Sequence, residues 1–259
     1  MSRSTRFRTI LVAGLALALT FPVAASATHS WGSYHWARQS NPFTLKLGDN
    51  VTPAWDTYLG TTSADWTVSN VLNTTIVAGG TTGRRCRATT GRVEVCNASY
   101  GNNGWLGIAS ISVSGSHITK AYVKLNDTYF NTAAYDAPEW RNLVMCQEVG
   151  HTFGLNHQDE NFNNTPLGTC MDYSNDPVPN QHPNDHDYAQ LETIYGHLDS
   201  TTTVGASAPS GPGGGNGASE AASSGWGRLV ATTNGGRGGV YLLDLGNGQL
   251  VVTHVFWAR

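Results

Sequence analysis

Charged side chains are scarce in this chain. Only 13% of its 259 residues are Asp, Glu, Lys or Arg, against roughly 25% in ordinary globular domains. Such a composition does not describe a self-repelling, disordered chain. Basic residues are in the minority, 15 Lys plus Arg against 18 Asp plus Glu. There is therefore no basic stripe of the kind a dedicated nucleic-acid binder needs. Beyond residue 27 no stretch approaches 18 continuous apolar positions, which leaves no candidate membrane span there. Internal repeats, a serine nucleophile elbow and a phosphate-binding glycine loop are also missing.

What is present suits one domain plus a small annex: 39% hydrophobic residues, 30 glycines and enough length to bury a real core. Arg3, Arg6 and Arg8 precede an apolar run from Ile10 to Phe21, and Ala25-Ser26-Ala27 follows. This is the pattern of a secretory signal peptide over residues 1–27, with a membrane anchor as the alternative that Pro22 and the small-residue end disfavour. Its removal would leave 12 basic and 18 acidic residues, net −6, in an exported, extracellular product. Nothing in charge or size argues against a monomer.

Four cysteines, Cys86, Cys96, Cys146 and Cys170, all lie beyond the signal and allow three pairings in an oxidising compartment. Cys86 and Cys96 bracket a short Gly-containing stretch and read as a hairpin staple. Cys146 with Cys170 would close a loop of 25 residues. A four-thiolate zinc site is the rival, but spacings of 10, 50 and 24 contain no Cys-x-x-Cys knuckle.

Hydrophobic periodicity divides the rest. His29 to Ser40 reads as irregular, Phe43, Leu45 and Leu47 as a strand, and Pro53 to Ser69 as a helix. Strands are expected over Val71–Val77, Val93–Cys96, Leu106–Val113 and Ile118–Leu125. Pro138 and Glu139 start a helix that Gly154 ends, and a last helix covers Asp185–Tyr195. Thr201 to Ser224 lacks core formers and reads as a flexible linker (200–225). Trp226–Thr232, Gly239–Leu245 and Gln249–Trp257 then read as three strands of an annex over 226–259, joined by glycine turns that include Asn234-Gly235-Gly236. So small an annex must pack back on the main domain or serve as a surface module. Trp55, Trp66 and Trp140 read as core, Trp31 and Trp36 as packing for the N-terminal segment, and Trp226 with Trp257 as mutual partners or a carbohydrate- or wall-binding surface.

The stretch Gln147-Glu148-Val149-Gly150-His151-Thr152-Phe153-Gly154-Leu155-Asn156-His157 carries chemistry. On a helix, positions 147 and 151 project side by side. Gly154 lets the chain turn, so that His157 returns to the same point. Glu148 stands beside the pair, where a metal's bound water needs a carboxylate to take its proton.

These residues resemble the zinc signature of the metzincin metallopeptidases, of matrixin type, with Gln147 in the position of the first histidine. Cys170-Met171-Asp172-Tyr173, with Met171 fourteen residues after His157, resembles the family's Met-turn. The Leu191-Glu192-Thr193-Ile194-Tyr195-Gly196 ending of the last helix is similar to that of matrixins. The resemblance covers about residues 41 to 198, leaving out the annex. It implies an α/β (α+β) catalytic domain over 28–199: a twisted, mostly parallel sheet with an antiparallel edge strand, a backing helix, an active-site helix and a C-terminal helix.

By the same resemblance, His151 and His157 ligate one catalytic Zn2+, Glu148 is the general base, and Gly154 and Met171 are structural. Tyr173 steadies the tetrahedral intermediate. A polypeptide substrate adds as an extended strand to Gly107–Val113. Gln147 leaves three readings. It ligates through its amide oxygen, His182 or His186 supplies the third ligand, or the site is inactive and the protein binds peptides or surfaces without cutting. The implied activity is that of a secreted zinc endopeptidase.

Asp159 and Glu160 are candidates to orient a ligand, or belong to a solvated loop. The resemblance also raises Ca2+, through Asn161, Asn163, Asn164, Asp176 and Asp185, although no calcium-loop pattern is present and turn formation explains such residues better. His29, His35, His117, His197 and His254 show no ligand-like spacing.

Overall fold

Strict alternation in Phe43-Thr44-Leu45-Lys46-Leu47 buries Phe43, Leu45 and Leu47 and exposes Thr44 and Lys46 in the first part of strand β2 (Phe43–Asn50), as a strand covered on one face requires. The computed structural model describes residues 29–207, 225–233 and 235–258. The expected signal peptide, residues 208–224 of the expected linker, and Asn234 of an expected turn lie outside the described residues.

The chain is a mixed α/β protein built on one large mixed sheet. In chain order its strands are β1 (His35–Trp36), β2, β3 (Leu72–Ala78), β4 (Thr89–Thr90), β5 (Val93–Ala98), β6 (Trp105–Ser114), β7 (His117–Asn126), β8 (Arg228–Thr232), β9 (Gly238–Gly246) and β10 (Gln249–Trp257). The helices are α1 (Asp56–Trp66), α2 (Asp127–Phe130), α3 (Pro138–His151) and α4 (Asp185–Ile194). The sheet order is β3-β2-β5-β7-β6-β10-β9-β8, with β1 and β4 also on β7. Neighbours from β3 to β7 are parallel, and β6 runs antiparallel to β7.

Helix α1 is shorter than the expected 53–69. Pro53 stands before it, and Trp55 rather than a hydrogen-bonding side chain caps it. The N-terminal segment, expected to be irregular, adds two residues of strand beside His117 and Ile118 of β7. Trp36, Trp55 and Trp66 are fully buried with Leu45, Leu47, Leu143, Val144 and Val149 in one core. Both disulfides join the expected partners, Cys86 to Cys96 and Cys146 to Cys170.

The C-terminal region differs from an independent module. Strand β10 pairs antiparallel with β6 along Gly107 to Ser114, so the annex continues the main sheet. Val252 and Phe256 enter the main core, while Val255 joins a smaller cluster with the Cys86–Cys96 bridge, Trp105 and Trp226. Trp226 and Trp257 contact each other as expected, ring centroids 6.0 Å apart. Part of the expected linker is also docked: Thr203 N–H donates to Ala37 O and Gly205 N–H to Gly91 O, both at 2.8–2.9 Å. Those bonds give residues 203–205 a fixed path that their composition does not signal. Among the described residues no helix is long and apolar enough to cross a membrane.

Candidate metal centre

Helix α3 starts with Pro138 in its first turn and Glu139 at the positive end of its dipole. Its last two turns bury Gln147, Glu148 and His151 completely. Gly154 then takes φ +94°, a left-handed conformation that favours glycine. The N-terminal segment fixes the turned chain: Trp31 N–H donates to Gly154 O at 2.8 Å and Asn156 N–H to His29 O at 3.0 Å. His157 is thereby returned to His151, their rings 4.6 Å apart and nearly perpendicular. Trp31 stacks flat on the His151 ring at 4.8 Å.

Each imidazole is oriented through its Nδ1. His151 donates to Leu155 O at 2.9 Å, and His157 donates to Glu160 Oε1 at 3.2 Å. Glu160 is thus the one of the two acidic neighbours that orients a histidine. The Asp159 side chain instead accepts from Asn161 N–H and Asn164 in a local turn. Asn161 accepts from Asn163 N–H, and Asp176 from Val178 N–H. These short-range bonds give four of the residues raised for calcium a role in turns.

With both Nδ1 atoms committed, His151 Nε2 and His157 Nε2 are buried without a hydrogen-bond partner, as are Gln147 Oε1 and Glu148 Oε1. A buried lone-pair-bearing atom left unsatisfied is costly, and here there are four. Two neutral imidazole nitrogens, an amide oxygen and a carboxylate form a donor set that fits a divalent transition metal such as zinc. Gln147 is compatible with its expected role. Its Nε2 donates to Cys170 O at 2.8 Å, which orients the amide and leaves the oxygen bare.

Met171 lies under the helix, and Gly150 makes that approach possible. A Cβ there would stand 2.7 Å from Met171 Sδ and 2.7 Å from the Trp66 ring. The Cys146–Cys170 bridge ties this turn to α3.

The third histidine is neither of the two expected. His182 is exposed and paired with Asp65 at 2.7 Å, while His186 stacks on His29. Instead His254 of β10 joins His151 and His157, with one ligating atom from each lying within 4.8 Å of the others. Its ring is 4.2 Å from that of His151 and 4.8 Å from that of His157. Its Nδ1 lies 3.0 Å from Glu148 Oε2, and its Nε2 2.6 Å from the Tyr173 hydroxyl. Sequence spacing missed His254 because the intervening chain is nearly a hundred residues long. One signal was available: Leu250, Val252, His254 and Phe256 share one face of β10, which sets a lone imidazole in an apolar row.

Electrostatics follow burial. Desolvation pushes Glu148 up from 4.5 to about 8, opposed by the neighbouring His151. It pulls His254 down to about 3, and pulls His151 and His157 well below the usual histidine value, helped by repulsion from nearby imidazoles. Tyr173 is held well above its ordinary value by burial and then by Glu148. The imidazoles are therefore neutral, as metal ligands must be.

The strand expected to receive a substrate, Gly107–Val113, already has a partner. Phe256, His254, Val252 and Leu250 of β10 lie opposite Gly107, Ala109, Ile111 and Val113. Comparison with known proteins finds no matching family model and no curated protein with significant similarity.

Proposed function

We propose that this protein is a secreted, matrixin-like zinc endopeptidase whose centre is closed by its own C-terminal strand. The observation that carries the reading is the pair of buried Nε2 atoms of His151 and His157, both without a hydrogen-bond partner, on rings 4.6 Å apart. The sheet order β3-β2-β5-β7-β6, with only β6 reversed, supports the metzincin resemblance. So does the sequence of α3, the Cys170–Tyr173 turn and α4. Two disulfides fit an extracellular location.

His151, His157 and a third donor would hold a zinc ion, which would supply Lewis acidity toward water and the scissile carbonyl. Glu148 accepts the proton of the attacking water and delivers it to the leaving amide nitrogen. The Tyr173 hydroxyl donates to the oxygen on which negative charge develops. The substrate backbone pairs with β6 as an added strand. In the closed form His254 engages both Glu148 and Tyr173, so neither is free for these steps. When β10 leaves, Gln147 Oε1 remains as third donor.

The complete burial of the centre favours a second reading, a non-catalytic relative in which His254 is a permanent part of the fold. An engineered cleavage site within residues 208–224 separates the two. The zinc-loaded chain should hydrolyse an unfolded polypeptide after that cut and not before, with the Glu148→Gln chain inert in both states. A cut chain that keeps its zinc, releases the C-terminal fragment and still hydrolyses nothing would establish the non-catalytic reading.

A further inference from the structure

Positive charge is concentrated at one place outside the metal centre. Four of the chain's 15 Lys and Arg residues, Arg84, Arg85, Arg87 and Arg92, fall within nine positions. No Asp or Glu lies between Asp65 and Glu94. The segment between β3 and β4 carries the first three arginines. Cys86 at its centre is fully buried beside Trp105 and Tyr122 and bridged to Cys96 of β5, while its neighbours Arg85 and Arg87 are both exposed. Cys86 holds φ +42°, a left-handed conformation that is strained for a residue with a Cβ.

Those two arginines line a concavity of about 560 Å³, together with Thr81, Thr82, Thr89 and the Gly79–Gly80 turn. The volume is that of a small-molecule site. The polar side chains of the lining are two guanidinium groups and three hydroxyls, and no carboxylate is among them. Thr81 Oγ1 accepts from Arg87 N–H at 3.2 Å, which leaves the hydroxyl its own proton to donate.

The nearest acid in the chain, Glu94, is already occupied. Its Oε2 accepts from Asn50 Nδ2 at 2.7 Å and from Gly80 N–H at 3.1 Å, and its Oε1 accepts from Arg92 Nε at 2.7 Å. Arg92 and Glu94 therefore neutralise each other. Among the described residues neither Arg85 nor Arg87 forms an ion pair with a carboxylate. The concavity keeps the positive charges of both. A wall of donors carrying two guanidinium groups complements a tetrahedral oxyanion, and the charge of a phosphate monoester, about −1.5 to −2 at pH 7, matches theirs.

We propose that this concavity binds a phosphate monoester, with Arg85 and Arg87 on the phosphate oxygens and the threonine hydroxyls as neutral donors. A phosphate group fills only part of the volume, so the ligand extends beyond it. The site is separate from the metal centre, since none of its lining residues belongs to α3, the Cys170–Tyr173 turn or β10.

Calorimetric titration of the full chain at low ionic strength tests this, with zinc left out so that phosphate has no metal to bind. Inorganic phosphate should bind saturably, one per chain. Glucose 6-phosphate and a phosphoserine peptide distinguish a phosphorylated small molecule from a phosphorylated polypeptide. One of them should bind more tightly than inorganic phosphate, and neither glucose nor the unphosphorylated peptide should bind. Arg85→Gln and Arg87→Gln should each weaken phosphate binding about tenfold, with the thermal midpoint unchanged because both side chains are exposed. Arg84→Gln removes the same charge outside the lining and should change binding less than about twofold. No saturable binding of any of the three phosphates, or an equal loss in the Arg84, Arg85 and Arg87 variants, would overturn the proposal. The outcome does not depend on the endopeptidase reading.

Discussion

Two histidine clusters use the same side chain in opposite settings. Around His151 and His157 every participant is nearly inaccessible, and a carboxylate and a phenol stand within hydrogen-bonding range of the third imidazole. Around Asp199 the rings of His117 and His197 are partly exposed while His35 is buried, and the carboxylate is itself among the converging groups. The first arrangement keeps Glu148 outside the histidine set, ready to move a proton. In the second, the acid is hydrogen-bonded to Arg38 and to His35. The two clusters therefore differ both in burial and in the groups left free beside the histidines.

The strongest way to sharpen the contrast is Glu148→Gln. In the cut chain it should lower hydrolysis by about 10²–10⁴-fold, while the zinc content stays unchanged. Loss of zinc alongside activity would make Glu148 a ligand and erase the distinction. A smaller effect is expected from removing the Cys146–Cys170 bridge with paired serines. Closing a loop across a sequence separation of 24 is worth about 2–4 kcal/mol, so the thermal midpoint should fall clearly. Zinc affinity at the first centre should weaken while the second cluster is undisturbed. Gly150→Ala should cost roughly 1–3 kcal/mol by driving a methyl group into Met171 and Trp66, again sparing the second cluster.

The mildest test uses pH on the metal-free chain. Glu148 titrates near 8 when folded and 4.5 when unfolded. A folded value above the unfolded one means that its protonated form stabilises the fold below pH 4.5 and that this contribution is lost as pH rises through 8. The Glu148→Gln chain should thus gain stability relative to the parent between pH 4.5 and 8. The lowered histidine values act in the opposite direction, losing stability as pH falls below 6.5, but they are common to both chains and largely cancel. A flat difference across that range would show that the carboxyl is not desolvated.

Local patterns made much of this molecule legible. The alternation in Phe43–Leu47, the Pro138 start of α3, the Gly154 bend and the Cys146–Cys170 pairing are all matters of short-range geometry, and each has its counterpart in the structure. The pairing of β10 with β6 is different in kind. Strand partners are chosen by burial across the whole sheet, and nothing within Gln249–Trp257 specifies Gly107–Ser114 as its neighbour. For the same reason the grouping of His254 with His151 and His157, and of His35 with His117 and Asp199, is not visible in spacing, since each is collected from segments far apart in the chain. A ligand set drawn from one helix and the turn after it can be read from spacing. One assembled by tertiary packing cannot.

Zinc-edge anomalous diffraction from crystals of the full chain grown with the metal tests the central claim most directly. A peak at bonding distance, about 2.0–2.1 Å, from both His151 Nε2 and His157 Nε2 is the expected result, with His254 of β10 against it. Crystals of the folded chain, saturated with zinc, that show no peak between those two imidazoles would contradict it.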